Sequence, residues 1–286
     1  MSEPDQPYTP HLSRAGRALT RAVSAVDEKG RVREVHIAGE HPLTLVVDGV
    51  EIVTLMTMGA QPEALALGFL RNQRLIEDIE EVASVVVDWG EEQAHITTRH
   101  GRGLSDQEAK LSGRTVTTGC GQGTVFAHTL DMLYDTRLPS VTVSQSTILD
   151  LLREIGGHNE LYKKAGAVHG CGLCKGSEVL IFVEDVGRHN AADAISGMMW
   201  LDRIDGGDKL FYTTGRLTSE IVMKTALMGI PVLLSRSGIT QMGLELAQHL
   251  GMIMIARARA GRFLVYNAAD RVELDFPNGD RIQDTQ

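Results

Sequence analysis

Residues 208–238 read DKLFYTTGRLTSEIVMKTALMGIPVLLSRSG and decide the fold of the second half of the chain. A β-rich run over 208–214 passes into a helical pattern over 217–229, and a second β-rich run follows at 231–235. Strands separated by a helix of that length pair in parallel through a right-handed crossover, because a short turn cannot set two strands side by side in one direction. The same rhythm extends outward. Strand-like runs at 179–183, 252–256 and 262–266 and helical patterns at about 190–203 and 240–250 predict an α/β part with a mixed, mostly parallel sheet and flanking helices. A helix over 148–155 and a short one near Leu161 precede it.

The first half follows a different pattern. Leu43 to Met56 forms two β-rich runs around Asp48-Gly49, a pair that tolerates the positive φ of a tight hairpin. Pro62, at a first-turn position, opens a helix through Ala64, Leu65, Leu67, Phe69 and Leu70, after which 82–87 and 94–98 flank Trp89-Gly90 as a second hairpin. This is an α+β part. It ends on the glycine-rich loop Thr118-Gly119-Cys120-Gly121-Gln122-Gly123 and a helix over 124–134. Residues 1–33 show no sustained apolar period and are expected to lie outside the fold as a mobile arm. The chain thus divides into an arm (1–33), an α+β domain (34–142, with its loop at 118–124), an α/β domain (143–270) and a tail (271–286).

A chain of 286 residues with 43% apolar composition can bury one large core or two modest ones. With 28 Lys plus Arg against 37 Asp plus Glu, the net charge of -9 gives no footprint for nucleic acid or an acidic membrane surface, so an anionic ligand needs a local basic site. No apolar run approaches the roughly 20 residues of a membrane span, and the first 33 residues lack a signal-peptide core, which points to the cytoplasm. Three cysteines are too few, and odd in number, for a secreted disulfide framework and suit a reducing compartment.

Three successive strand-to-helix junctions carry Gly or Ser together with Arg: Gly187-Arg188-His189-Asn190, Gly215-Arg216 and Ser235-Arg236-Ser237-Gly238. In an open α/β sheet such junctions gather at the carboxyl ends of the strands, where helix N-termini favour anions, and together they suggest a phosphate or diphosphate cradle. The alternative is that each arginine pairs with a local acid such as Glu184, Asp185 or Glu220. Asn190 and Asp193, one turn apart on a helix, would face the same side and could read the edge of a base, or else cap and solvate that helix.

Cys120 lies between glycines that leave its thiol free to reach outward, and Arg114 offers a nearby positive charge that would favour the thiolate. A small buried apolar residue is the equal alternative. Cys171 and Cys174, in His169-Gly170-Cys171-Gly172-Leu173-Cys174, have the spacing of a metal knuckle, and Cys120 with His169 would complete a zinc set. If 168–174 is a strand, however, residues 171 and 174 point to opposite faces and cannot share a metal, so packed thiols or a substitute partner for Cys120, and no metal site, are expected. A zinc nucleobase deaminase would need His-x-Glu and Pro-Cys-x-x-Cys, and His169 is followed by Gly170 and Cys171 instead.

Gly119-Cys120-Gly121, Val168-His169, Glu184-Asp185-Val186-Gly187-Arg188-His189-Asn190-Ala191 and the Gly215-Arg216 and Ser235-Arg236-Ser237 junctions, in this order, resemble the FdhD family of formate dehydrogenase accessory proteins over about residues 35–267. The resemblance implies a C-terminal domain similar to the cytidine deaminase fold, a homodimer, and a sulfurtransferase-type activity. Cys120 would accept persulfide sulfur from a cysteine desulfurase and deliver it to the molybdenum cofactor required by formate dehydrogenase. That cofactor, in its bis(guanine dinucleotide) form, would be a bound client and not a permanent group. Its guanine nucleotide arms would lie on Arg188, His189, Asn190, Asp193, Gly215, Arg216, Ser235, Arg236 and Ser237. The family's loop reads Cys-x-x-Cys, whereas here Gly123 holds the second position, so a cofactor-binding chaperone that moves no sulfur is the alternative.

Overall fold

The structure, a computed structural model, describes residues 8–101, 133, 136–259 and 261–275, and the backbone of 114–116. Its first sheet is built from β1 (His11–Leu12), β4 (His41–Val47), β5 (Val50–Thr57), β6 (Val82–Asp88), β7 (Gln93–Thr98) and β8 (Arg114–Val116), in the order β1-β6-β7-β4-β5-β8. The strands β2 (Thr20–Val26) and β3 (Val32–Ala38) form a separate two-stranded ribbon. The β4–β5 turn is the expected one, with φ of 47° at Asp48 and 87° at Gly49. Asp48 also accepts hydrogen bonds from the Thr98 amide (2.9 Å) and hydroxyl (2.6 Å), which fixes the turn to β7.

The second half contains β9 (Val143–Ser144), α2 (Gln145–His158), α3 (Glu160–Ala165), β10 (His169–Lys175), β11 (Glu178–Asp185), α4 (Arg188–Leu201) and β12 (Leu210–Thr213). It continues with α5 (Ser219–Leu227), β13 (Val232–Ser235), α6 (Gln241–Leu250), β14 (Ile253–Arg259), β15 (Arg262–Asn267) and β16 (Val272–Glu273); the first half contributes α1 (Pro62–Asn72). The second sheet has the order β11-β10-β12-β13-β14-β15 and is mixed. Its parallel pairings are β12 with β13 and β13 with β14, while β10 runs antiparallel to both of its neighbours and β15 to β14. The expected crossover strands β11, β12, β13 and β14 do share one direction, but β10 lies between the first two. Its glycines and cysteines hide β propensity, which is why a definite strand was not legible there.

The two halves share one core. A continuous apolar cluster runs from Leu43 and Leu67 through Ala191 and Ile195 to Phe211, Leu233 and Met254, and a smaller one lies on the other face of the second sheet, beneath Ile148, Leu151 and Ile155 of α2. The layers are therefore sheet, α1, the helices α4 to α6, sheet and α2. Helices α1 and α4 meet backbone to backbone: a Cβ at Gly68 would collide with the carbonyl of Asp193, and one at Gly197 with the carbonyl of Ala64. The residues assigned to an arm are partly within the fold. β1 pairs with β6, the Ser13 hydroxyl donates to Glu63 (2.6 Å), and Trp89 donates to the carbonyl of Ala15. These contacts are long-range, so no local period announces them. The first tail residues likewise pair, β16 with β9, and Val272 is buried.

Candidate functional site

Because β10 is antiparallel to its neighbours, its first residue, His169, lies at the same end of the sheet as the carboxyl ends of β11, β12, β13 and β14. The junctions at that end are joined by their backbones. Thr214 N donates to Gly170 O (2.9 Å), Arg236 N to Thr213 O (3.2 Å) and Arg257 N to Ser237 O (2.8 Å). The Ser235 hydroxyl donates to Gly215 O (2.6 Å) and accepts from Ser237 N (2.9 Å). A cavity of about 390 Å³ opens beside them, lined by His169, Gly170, Thr214, Arg236, Ser237 and Arg259 together with Asn159, Tyr162 and residues 166–168.

Arg188 crosses this end above Gly215, where a Cβ would collide with the arginine's Cδ; only glycine leaves room. Arg216 and Arg236 are exposed and Arg188 is half-buried. None of the three has an ion pair within 4.0 Å among the described residues, although the charge of Glu220 acts on Arg188 from farther away. Glu184 instead accepts from the amides of Leu161 and Tyr162 (both 2.9 Å) at the start of α3, and Glu220 faces His189 (3.4 Å) and Lys224 (3.9 Å). Burial, and then the like charge of Arg216, lower the pKa of Arg188, while burial followed by Arg188 and Arg216 lowers that of His169. The like charge beside Arg188 and His169 opposes their protonation, and an anion bound there would relieve that repulsion. Helix dipoles contribute less than the sequence suggests. Only α4 starts at its arginine, whereas α5 and α6 begin at Ser219 and Gln241, beyond a bridge between Leu217 and Ile239.

Asn190 and Asp193 do face one side of their helix, but that side is packed against the first half. Asn190 Nδ2 donates to Met56 O (2.6 Å) and Asp185 Oδ1 (3.0 Å). Asp193 accepts from Asn72 Nδ2 (2.7 Å) and pairs with the buried Lys224 (2.6 Å). Both are thus removed from the anion site as base-reading groups, because a side chain committed to a buried partner has no free edge to offer. Asp185 is likewise structural: it accepts from the Thr57 hydroxyl (2.6 Å), Met58 N (3.1 Å) and Gly187 N (3.1 Å), although burial raises its pKa. His189 is buried against Glu220, with its Nδ1 unpartnered among the described residues; burial, Lys224 and Arg188 push its pKa down to about 2, so the ring is neutral.

Cys171 and Cys174 lie on opposite faces of β10, the first in the large core and the second in the small one. Burial pushes each thiol up to about 12, and Cys171 donates to the Thr213 hydroxyl oxygen (3.3 Å). They are packed thiols separated by the sheet. Cys120 and its loop lie outside the described residues. Arg259, Tyr162 and Asn159 were not singled out from sequence; the run Arg257-Ala258-Arg259 at the end of the fourth parallel strand was the available signal for the first of them.

A family model, FdhD/NarQ, matches residues 38–273, which is most of the chain. The chain belongs to the FdhD/NarQ family. Among its relatives, the sulfur carrier protein FdhD of Bacillus licheniformis is 30% identical over 242 residues, covering 84% of this chain and 91% of that one. The protein of the same name from Bacillus pumilus is 29% identical over 237 residues, covering 82% and 90%. A crystal structure described as that of a formate dehydrogenase accessory protein of Desulfotalea psychrophila superposes with a TM-score of 0.71 at 27% identity, covering 88% of this chain and 98% of that one. The FdhD/NarQ match includes the second sheet, the first sheet apart from β1, and every junction described above. No described helix is long and apolar enough to cross a membrane.

Proposed function

We propose that the chain is a sulfur carrier for formate dehydrogenase. Cys120 takes sulfane sulfur from the persulfide of a cysteine desulfurase and passes it to the molybdenum bis(guanine dinucleotide) cofactor, a client held by its phosphates at Arg188, Arg216 and Arg236. In the first step the Cys120 thiolate attacks the terminal persulfide sulfur, forming the Cys120 persulfide and returning the desulfurase thiolate, with no net oxidation. The observation that carries this reading is the direction of β8. It runs parallel to β5 and ends with Val116 beside Leu55, and the next residues of β5 and its turn, Met56 to Met58, are held by Asn190 and Asp185, which flank Arg188. β8 is thus directed toward the end of β5 that is held beside Arg188, and Cys120 is the fourth residue after Val116 in the sequence.

The phosphate contacts are tested by calorimetric titration of guanosine diphosphate. One charge-assisted contact is worth about 1.5–3 kcal/mol, so Arg216→Ala should weaken binding roughly tenfold or more, and unchanged affinity would remove the site. The sulfur step is tested by incubation with a cysteine desulfurase and cysteine, followed by mass spectrometry. Equal persulfide loading of the parent and Cys120→Ala would leave the cofactor-binding chaperone, with no sulfur transfer, as the function.

A further inference from the structure

Because β10 runs against β11 and β12, it carries its first residue, His169, to the arginine junctions. The ring is held there by one nitrogen. His169 Nδ1 lies 3.3 Å from the Thr214 hydroxyl, which already accepts from Gly170 N (3.1 Å), while Thr214 N donates to Gly170 O (2.9 Å). With the Gly170 amide on the threonine oxygen, the hydroxyl hydrogen is free to go to His169 Nδ1, which assigns the proton of a neutral ring to Nε2. Nε2 has no hydrogen-bond partner among the described residues and is not an enclosed atom, so it opens to the cavity that His169 lines with Arg236, Ser237 and Arg259. Arg188, from the β11–α4 junction, and Arg216, from the β12–α5 junction, are close enough for their charges to act on the ring. The nearby acids are committed elsewhere. Asp185, across the ladder from His169, is bonded into the joint with the first half, Glu184 holds the start of α3, and Glu220 faces His189 and Lys224. Asn159, Tyr162 and, two residues along β10, Cys171 complete the surroundings. Burial and the two arginines therefore keep the ring of the empty site uncharged at neutral pH.

We propose that His169 is a phosphate ligand of this site, neutral when the site is empty and donating from Nε2 as an imidazolium when a diphosphate is bound, so that a proton enters with the anion. The diphosphate is taken from the cofactor reading given above, on which this inference rests. An esterified diphosphate carries two negative charges at neutral pH. Seated among Arg188, Arg216 and Arg236, it offsets the like charge that keeps the ring neutral and sets an opposite charge beside Nε2, and both changes favour the charged form. Binding then raises the ring's proton affinity. By linkage the anion binds more tightly as pH falls, and its affinity is lost as pH rises through the value the ring has in the complex. The arginines cannot supply this effect, because a guanidinium stays protonated throughout the range. Nor can His189, whose ring is buried against Glu220 with its Nδ1 enclosed.

Guanosine diphosphate mannose is the probe, because both of its phosphates are esterified and its charge stays fixed where a terminal phosphate would titrate, near about pH 6. Calorimetric titration of the full chain at pH 7, in buffers of different ionisation enthalpy, should show uptake of about half a proton or more per nucleotide bound. Affinity should fall with rising pH by up to about tenfold per unit. His169→Gln keeps a hydrogen-bonding side chain beside Thr214 but cannot become charged; it should bind more weakly at low pH, take up no proton and show a flat profile. Proton NMR of the parent needs no substitution, and the titration midpoint of one histidine ring should move up when the probe is added. Binding by the parent without proton uptake, uptake and slope retained in His169→Gln, or no histidine midpoint that rises would each overturn the role of His169 and leave the cofactor site standing. A parent that does not bind the probe at all would overturn both.

Discussion

Asp193→Ala should unfold the joint between the two halves and leave the nucleotide preference alone. Asp193 and Lys224 are 1% and 4% exposed, 2.6 Å apart, and Asp193 also holds Asn72, whose Oδ1 accepts from Ser196 (3.0 Å). Deleting the carboxylate strands a buried ammonium whose remaining acid, Glu220, is 3.9 Å away. Breaking one side of such a pair typically costs about 3–5 kcal/mol, and replacing both sides with apolar groups costs far less. For a chain of this size the loss should lower the melting temperature by roughly 6 °C or more. Differential scanning calorimetry of Asp193→Ala, Lys224→Met and the double variant forms a thermodynamic cycle. The double variant should be more stable than the sum of the singles by at least about 1 kcal/mol. Strict additivity, or an Asp193→Ala protein that melts normally yet binds guanosine and adenosine diphosphates with changed relative affinity, would refute the structural role and return Asp193 to the ligand.

Gly197→Ala should force α1 and α4 apart, since the added Cβ meets a backbone carbonyl that cannot rotate away, and calorimetry should show a loss of about 1–3 kcal/mol or more. His189, with its pKa held down to about 2, refuses the proton that the unfolded chain takes up below about 6.5. Stability is therefore fully present above that pH and declines as pH falls toward 2, by up to about 1.4 kcal/mol per unit, and His189→Gln should flatten this acid limb in denaturant titrations. Cys171 and Cys174, buried and pushed up to about 12, should resist iodoacetamide at pH 8 in the folded protein and react only after denaturation, as peptide mapping would show.

The legible parts of the fold were those whose signals are local. Asp48-Gly49 marked a hairpin through its own backbone preference, Pro62 marked a helix start, and the run from 208 to 250 marked crossovers through its change of period. β10 was left conditional because Gly170, Cys171 and Gly172 carry little strand propensity; its pairing is decided by neighbours on both sides. The arm was misjudged because Tyr8, Ser13 and Ala15 bond residues some 50 to 75 positions away. At the site, the arginine junctions were readable because strand ends converge in any sheet of this kind. The role of Asn190 and Asp193 was not, because helical spacing tells which residues share a face and not what covers that face. Only the approach of Met56 and Asn72 from the first half answers that question.

The parallel pairing of β8 with β5 also sets a length. Cys120 is four residues past Val116, and four residues of chain, fully extended, span at most about 14 Å. The end of β5, along which β8 pairs, is itself pinned by Asp185 and Asn190. On the proposed function, donor and recipient must each come to within that reach of the end of β8. A two-residue insertion between Val116 and Cys120 should, on the same function, lengthen that reach and change which partners the thiol meets, even where every side chain at the arginine junctions is kept.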